Sequence, residues 1–328
     1  VTSLPGWKDR LGAVRVRWDL GRMRYTVDPG LYALGSPDDR SPVLVSANYK
    51  LSFDILREAL KERSAWLLVL DTEGINVWCA AGKGTFGTAE LVERIRTSGL
   101  ENVVSHRDLV LPQLSAPGVA AHLVKKEAGF RVRYGPIRAD DTGAYLDSGF
   151  RATPAMRRKT FTLKERAEVI PVELVQAFRT ALPLFPLLFL AGGLGSGGFW
   201  ESALRNGGFA VFALFAALLA GSILPALLLP WLPGRAFSLK GLIVGLGTAG
   251  LLLFLRGPDC SSWAGRLEGG AWMLLVPAVT AYLAMNFTGA STYTSLSGVR
   301  KEMRFALPLE IGAAALGLAF WAGSLIVP

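Results

Sequence analysis

The residues able to act as soft metal ligands are few: Cys79 and Cys260, with His106 and His122, in a chain of 328 residues. Two cysteines cannot build a disulfide framework, a four-thiolate zinc site or a four-cysteine iron–sulfur cluster. Cys79 stands in the stretch Asp71-Thr72-Glu73-Gly74-Ile75-Asn76-Val77-Trp78-Cys79-Ala80-Ala81-Gly82-Lys83-Gly84. Asn76 is a good helix N-cap, and Val77 to Ala81 supplies one or two turns before Gly82 ends them. Cys79 then lies near the positive end of a short helix, with Lys83 close by. That setting favours the thiolate, the form that binds metals. The competing expectation is a small buried cysteine beneath Trp78. A phosphate-binding loop is excluded, because Gly84 follows Gly82-Lys83 where Ser or Thr is required and Val77 replaces the first glycine. His106, after Ser105, reads as a polar loop residue and His122 as a structural helix residue. Cys260, beside Pro258 and Asp259, reads as an incidental loop thiol.

The elements that must position this stretch form an α/β pattern. Val14 to Val27 alternates about Gly21 and predicts an antiparallel hairpin. Val43-Leu44-Val45 predicts a short strand, and Lys50 to Glu62 a helix with Leu51, Ile55, Leu56 and Leu60 as its buried stripe. Trp66 to Leu70 has no polar residue, as expected of a strand covered on both faces. Thr88 to Thr97 predicts a helix, Asn102 to Val104 a strand, Ala120 to Glu127 a helix and Phe130 to Tyr134 a last strand. Strands alternating with helices imply a doubly wound, Rossmann-like parallel sheet. Ligands in such sheets bind beyond the carboxyl ends of the strands, here the loops after Val45, Leu70, Val104 and Tyr134.

The charge distribution divides the chain. Residues 1–179 carry 27 Lys/Arg and 21 Asp/Glu, and residues 180–328 only 8 and 5. The net charge of +9 is thus too diffuse for a nucleic-acid footprint. The long uncharged runs of the second half predict an all-α transmembrane domain of five helices, near 180–197, 208–230, 238–255, 270–288 and 306–326. Lys240, at the start of the third, is expected to snorkel to the interface. The expected organisation is an α/β domain at 1–155, a basic linker at 156–179 and a transmembrane domain at 180–328. Basic residues cluster before the first span (Arg157, Arg158, Lys159, Lys164, Arg166, Arg179) and in alternate loops (Arg235, Lys240; Arg300, Lys301, Arg304). The positive-inside rule then puts the N-terminal domain in the cytoplasm and the C-terminus outside, in the inner membrane. The opening segment has no apolar signal-peptide core.

Asn76-Val77-Trp78-Cys79-Ala80-Ala81-Gly82-Lys83 resembles the signature of the mercury-methylating corrinoid protein (HgcA) family. The flanking Lys83-Gly84-Thr85-Phe86-Gly87-Thr88 is similar too. So are Ser46-Ala47-Asn48-Tyr49-Lys50-Leu51, Leu111-Pro112-Gln113-Leu114-Ser115-Ala116-Pro117-Gly118 and, in the second half, Phe287 to Gly298. That family's soluble domain is related to the large subunit of the corrinoid iron–sulfur protein. The resemblance implies a corrinoid-binding domain in which Cys79 is the lower axial cobalt ligand and the corrinoid's own lower base is displaced. It implies a bed of ring contacts from Ser46, Asn48, Asn76, Val77, Trp78, Ala80, Ala81, Gly82, Lys83, Gln113, Ala116, Pro117 and Gly118. Neither His106 nor His122 sits in the Asp-x-His-x-x-Gly pattern by which many cobalamin proteins ligate cobalt.

The activity so implied is transfer of a methyl group from a methyl-Co(III) corrinoid to Hg(II), giving methylmercury. Hg(II) is an electrophile, so the methyl group must leave with electrons, and an anionic sulfur trans to it favours that departure. Axial ligand identity is a main lever of the protein on such a centre. The implied partners are a methyltetrahydrofolate-type methyl donor and a ferredoxin-like iron–sulfur protein (HgcB), since this chain lacks the cysteines for an iron–sulfur cluster of its own. Two other readings stay open: a membrane-anchored corrinoid methyl carrier for another acceptor, and a five-span transporter with a cytoplasmic sensor domain.

Overall fold

A computed structural model describes residues 1–287 and 296–327. The chain divides into two compact units, Val1–Thr160 and a helical unit beginning at Phe161.

The first unit is built on a five-stranded sheet: β1 (Gly30–Leu34), β2 (Val43–Ala47), β3 (Ala65–Leu70), β4 (Asp108–Leu111) and β5 (Arg131–Tyr134). Their spatial order is β1-β3-β2-β4-β5, parallel throughout except that β1 runs antiparallel to β3. β2 is buried along its whole length, as its apolar run requires. Helices cover both faces. On one side α3 (Val77–Lys83), α4 (Thr88–Thr97) and α6 (Ala121–Ala128) close a core containing Val45, Leu68, Phe86, Leu91, Ile95 and Phe130. On the other, α2 (Lys50–Ala59) and α7 (Thr142–Asp147) close one around Leu44, Phe53, Leu60, Leu67 and Tyr145.

Three local expectations are corrected. Residues 14–27 form no hairpin. α1 spans Trp7–Arg17, and Gly21, at φ 70°, leads into a 3-10 turn at Arg22–Arg24. The alternation of Val14, Val16 and Trp18 misleads because the helix divides these residues: Val16 is buried while Val14 and Trp18 are exposed. Residues 102–104 form no strand. α5 covers Leu100–Val103, and the strand comes later as β4, opened by Asp108, which bonds Arg131 and Arg133 of β5. The ligand-side loop is therefore the one after Leu111, not Val104. The buried face of α2 is Phe53, Asp54, Arg57 and Leu60, and Ile55 is exposed. An ion-pair cluster takes that face: Arg57 Nε bonds Asp54 at 2.8 Å, Arg57 Nη2 bonds Asp9 at 2.7 Å, and Lys50 Nζ bonds Asp9 at 2.6 Å. β1 was missed because an edge strand of intermediate burial carries no strong alternation.

The clusters give the unit an acid limit. The hydrogen bond from Lys50, aided by Arg57, holds the Asp9 carboxyl down to about 2 against the opposing effect of burial. The bond from Arg131, with Arg133, does the same for Asp108, also to about 2. Both carboxyls sit near 3.9 in an unfolded chain, so their contribution is present above about pH 4 and is lost as pH falls through about 2. The midpoint of thermal unfolding, followed in detergent by circular dichroism, is expected to drop across that window. Combined Asp9→Asn and Asp108→Asn should lower it at neutral pH and flatten the acid slope; an unchanged slope refutes the assignment.

The second unit is helical. α8 (Leu163–Ala167) and α9 (Ile170–Ala181) precede α10 (Leu184–Gly192). α11 (Phe199–Ser202) runs through a π-helical turn, Ala203–Gly207, into α12 (Gly208–Leu227). α13 (Phe237–Arg256), α14 (Trp263–Asn286) and α15 (Leu296–Ile326) follow. Among the described residues, four helices are long and apolar enough to cross a membrane: Phe199–Leu227, Phe237–Arg256, Trp263–Asn286 and Ser297–Ile326. A fifth candidate is the pair Leu163–Ala181 and Leu184–Gly192, bent by 49°. The helical segment ahead of residue 180 begins within the stretch expected as a basic linker. Its Arg166 is buried and donates to the Leu227 carbonyl at 3.0 Å. Lys240 does not snorkel: it is buried and donates to the carbonyls of Leu229, at 2.9 Å, and Leu232. Both cations satisfy carbonyl groups at or just beyond the C-terminus of α12, which the helix itself leaves unpaired. Thr280 Oγ1 donates to the Gly241 carbonyl at 2.9 Å, a bond between α14 and α13. Of the motif at Phe287–Gly298, residues 288–295 lie outside the described residues.

Candidate functional site

At the carboxyl ends of the parallel strands the first unit opens a cleft of about 340 Å³. Its walls are Ser46 at the end of β2, Ile55 and Leu56 of α2, Asn76, Val77 and Trp78 at the start of α3, Pro112 and Leu114 after β4, and Pro136 and Ile137 after β5. The lining is mainly apolar with small polar groups, and it lies at the edge where open α/β sheets bind ligands.

α3 is set by its own sequence and by one buried neighbour. Asn76 Oδ1 accepts the Cys79 N–H at 3.0 Å, the expected N-cap. The helix ends later than expected, with Gly84 at φ 91° as its left-handed C-cap instead of Gly82. The preceding turn is held by Asn48, which is buried. Its Oδ1 accepts the Thr72 N–H at 3.1 Å and the Gly74 N–H at 3.0 Å, and its Nδ2 donates to Asp71 at 3.0 Å. Asn48 is thus committed to the loop leading to Cys79 and does not line the cleft. A buried side chain whose two polar atoms both have partners fixes a loop strongly, because leaving one without a partner costs about 1–3 kcal/mol.

The other candidate residues separate into distinct places. Ala80 and Ala81 are buried in the core beneath α3. Gly82 and Lys83 lie exposed at its far end. Gln113 accepts a hydrogen bond from Arg157 beside the cleft. Pro117 is exposed, while Ala116 and Gly118 are half-buried. The turn they form packs on α3: a Cβ at Gly118 would overlap the Phe86 carbonyl oxygen and lie 3.0 Å from the Ala81 Cα. Cys79 is exposed on α3, one residue beyond cleft-lining Trp78 and itself outside the cleft lining, and its Sγ has no hydrogen-bond partner among the described residues. The alternative of a buried cysteine beneath Trp78 is thereby ruled out. His106 serves its loop as expected, with Nε2 donating to Ser41 O at 2.9 Å and Nδ1 accepting the Asp108 N–H at 3.2 Å. Cys260 is exposed in the loop between α13 and α14. Sequence reasoning missed Ile55, Pro112, Leu114 and Pro136 as cleft walls. The available signal was a proline at or just beyond the end of a parallel strand, as in Leu111-Pro112 and Tyr134-Gly135-Pro136.

Residues 21–146, which contain the whole sheet, match the family model described as CO dehydrogenase/acetyl-CoA synthase delta subunit (CdhD). The acetyl-CoA decarbonylase/synthase complex subunit gamma of Methanothermobacter thermautotrophicus is 34% identical over 128 residues, 38% of this chain and 28% of that subunit. The gamma subunit of Archaeoglobus fulgidus is 32% identical over 126 residues, 38% of this chain and 26% of the relative. That of Methanopyrus kandleri is 39% identical over 92 residues, 27% and 20% respectively. The chain therefore spans about a quarter of the length of these relatives. The CdhD match contains Cys79 and the cleft, and it covers neither α1 nor the helical unit.

Proposed function

We propose that this protein is a membrane-anchored corrinoid-dependent methyltransferase acting on Hg(II), with the Cys79 thiolate as lower axial cobalt ligand. The observation that carries the reading is the unpartnered, exposed thiol on an N-capped helix at the carboxyl edge of the parallel sheet, beside an open cleft. The site suits the cofactor: an apolar wall with small polar groups fits the faces and amide edge of a corrin ring, and a thiolate is a soft metal ligand. When bound, the corrinoid supplies a methyl group carried on cobalt.

The chain's own residues then have defined tasks. Asn76 orients α3 through the Cys79 N–H, and Asn48 fixes the turn before it. Cys79 would hold the cobalt, and an anionic sulfur ligand would favour loss of a methyl group to an electrophile. Ser46, Val77 and Trp78 line the cleft and would contact a bound ring, and Gly118 lets the loop after β4 sit directly on α3. Electrons come from a separate ferredoxin-like iron–sulfur protein and the methyl group from a methyltetrahydrofolate-type donor. The apolar helices hold the protein in the cytoplasmic membrane, with the α/β unit on the cytoplasmic side by the positive-inside rule.

A second reading keeps the site and changes the acceptor. The similarity to subunits of the acetyl-CoA decarbonylase/synthase complex favours a methyl carrier serving another acceptor. One experiment separates the two. The purified full chain is reconstituted with a corrinoid, its visible spectrum recorded, and the methylated form mixed with Hg(II). The expected result is a base-off corrinoid with sulfur ligation and production of methylmercury. Corrinoid uptake without methylmercury selects the carrier, and no uptake overturns the site.

A further inference from the structure

Helix α1 lies ahead of residues 21–146, the part of the chain that matches the CdhD family model. Its inner side is fixed. Asp9 receives Lys50 and Arg57 at 2.6 and 2.7 Å, Val16 is buried, and Gly12 sits against the Tyr25 ring, too close to admit a Cβ. Its outer side is a ridge of Trp7, Leu11, Val14 and Trp18, which are 71%, 50%, 54% and 45% exposed. At about 100° per residue these four fall within roughly 60° of arc. Lys8 and Arg15 border the ridge on one side, and Arg10 and Arg17 on the other. Arg22 and Arg24 follow in the next turn, where Leu20 and Met23 are also exposed. The acidic residue of the helix, Asp9, faces inward and is neutralised there.

We propose that this outer face of α1 lies on the anionic surface of the lipid bilayer. An apolar ridge carrying two tryptophans and flanked on both sides by basic residues is the composition of a helix that rests in the membrane interface. Each Lys or Arg near such a surface adds attraction to anionic headgroups. The bilayer is also the partner that the chain itself keeps within reach, because the same chain carries four to five helices able to cross it. An eleven-residue helix binds lipid weakly alone, and the tether converts that weak contact into an intramolecular one. The inference rests on the membrane reading of the helical unit and is independent of the methyl acceptor.

The test uses the full chain carrying Leu11→Cys in lipid nanodiscs of phosphatidylcholine, with or without phosphatidylglycerol. Co-elution with the discs reports entry into lipid. A charged maleimide that does not enter lipid alkylates the position-11 thiol, and peptide mass spectrometry keeps it apart from Cys79 and Cys260. Alkylation is expected to be at least about tenfold slower in discs containing phosphatidylglycerol than in those without it. High salt should remove the protection, and so should Lys8→Ser, Arg10→Ser, Arg15→Ser and Arg17→Ser combined. The exposed control Glu101→Cys should react equally in both discs. Amide hydrogen exchange over residues 7–17 of the parent chain should slow in the same discs, which covers any disturbance by the cysteine. Equal rates in the two discs overturn the proposal. Protection that persists in detergent overturns it in favour of a protein, or a second copy, covering the face. A chain that never enters the discs overturns the membrane reading and this proposal with it.

Discussion

Cys79→Ala is expected to abolish methyl transfer to Hg(II), by at least about a hundredfold, or about 2.7 kcal/mol of barrier, while the α/β unit stays folded. The side chain is exposed and without a hydrogen-bond partner among the described residues, so its removal leaves no cavity and no orphaned donor. Exposed substitutions of this kind stay within about 0.5 kcal/mol of the parent in stability. The cap survives as well, since Asn76 Oδ1 accepts the backbone N–H of residue 79 whatever its side chain. Cys79→His is the informative companion. Imidazole still ligates cobalt but is neutral, so the corrinoid should remain bound while transfer to an electrophile falls steeply. A His variant as active as the parent would show that the sulfur only tethers the cofactor. An Ala variant as active as the parent would remove Cys79 from the chemistry altogether.

Gly118→Ala is expected to destabilise the α/β unit by at least about 2 kcal/mol and to lower its unfolding midpoint by at least roughly 5 °C. The added methyl group meets the Phe86 carbonyl oxygen and the Ala81 Cα, which are backbone atoms that cannot rotate away. Relief requires the loop after β4 and α3 to separate, and that displaces the helix carrying Cys79. Corrinoid affinity should therefore fall together with stability. Gly82→Ala is the matched control on α3 itself. Nothing lies within 4 Å of a Cβ there, so the change should be neutral or slightly stabilising through helix propensity. Equal effects of the two substitutions would mean that the packing at Gly118 does not position the site.

The sequence by itself determined the features that depend on near neighbours along the chain. The buried strands β2 and β3 were legible because unbroken apolar runs have few other uses in a sheet covered on both faces. The capped helix around Cys79 was legible because Asn76 and Cys79 meet across a single turn. The apolar helices of the second unit were legible because a charge-free run of that length is rare elsewhere. What the tertiary structure decided depends on groups brought across gaps that sequence spacing does not encode. Asn48 was expected as a ligand contact, and the structure shows it bonding a loop more than twenty residues ahead. Gly118 was expected as a ring contact, and it is also the point where two loops touch. Arg166 looked like a residue of the basic linker and Lys240 like a snorkelling span end, yet both are buried on carbonyls at or just beyond the C-terminus of α12. α1 is the sharpest case. It is apolar on opposite sides, so its periodicity reads as that of a strand, and only the ion cluster formed by Asp9 with Lys50 and Arg57 settles which side faces the domain and which is left free.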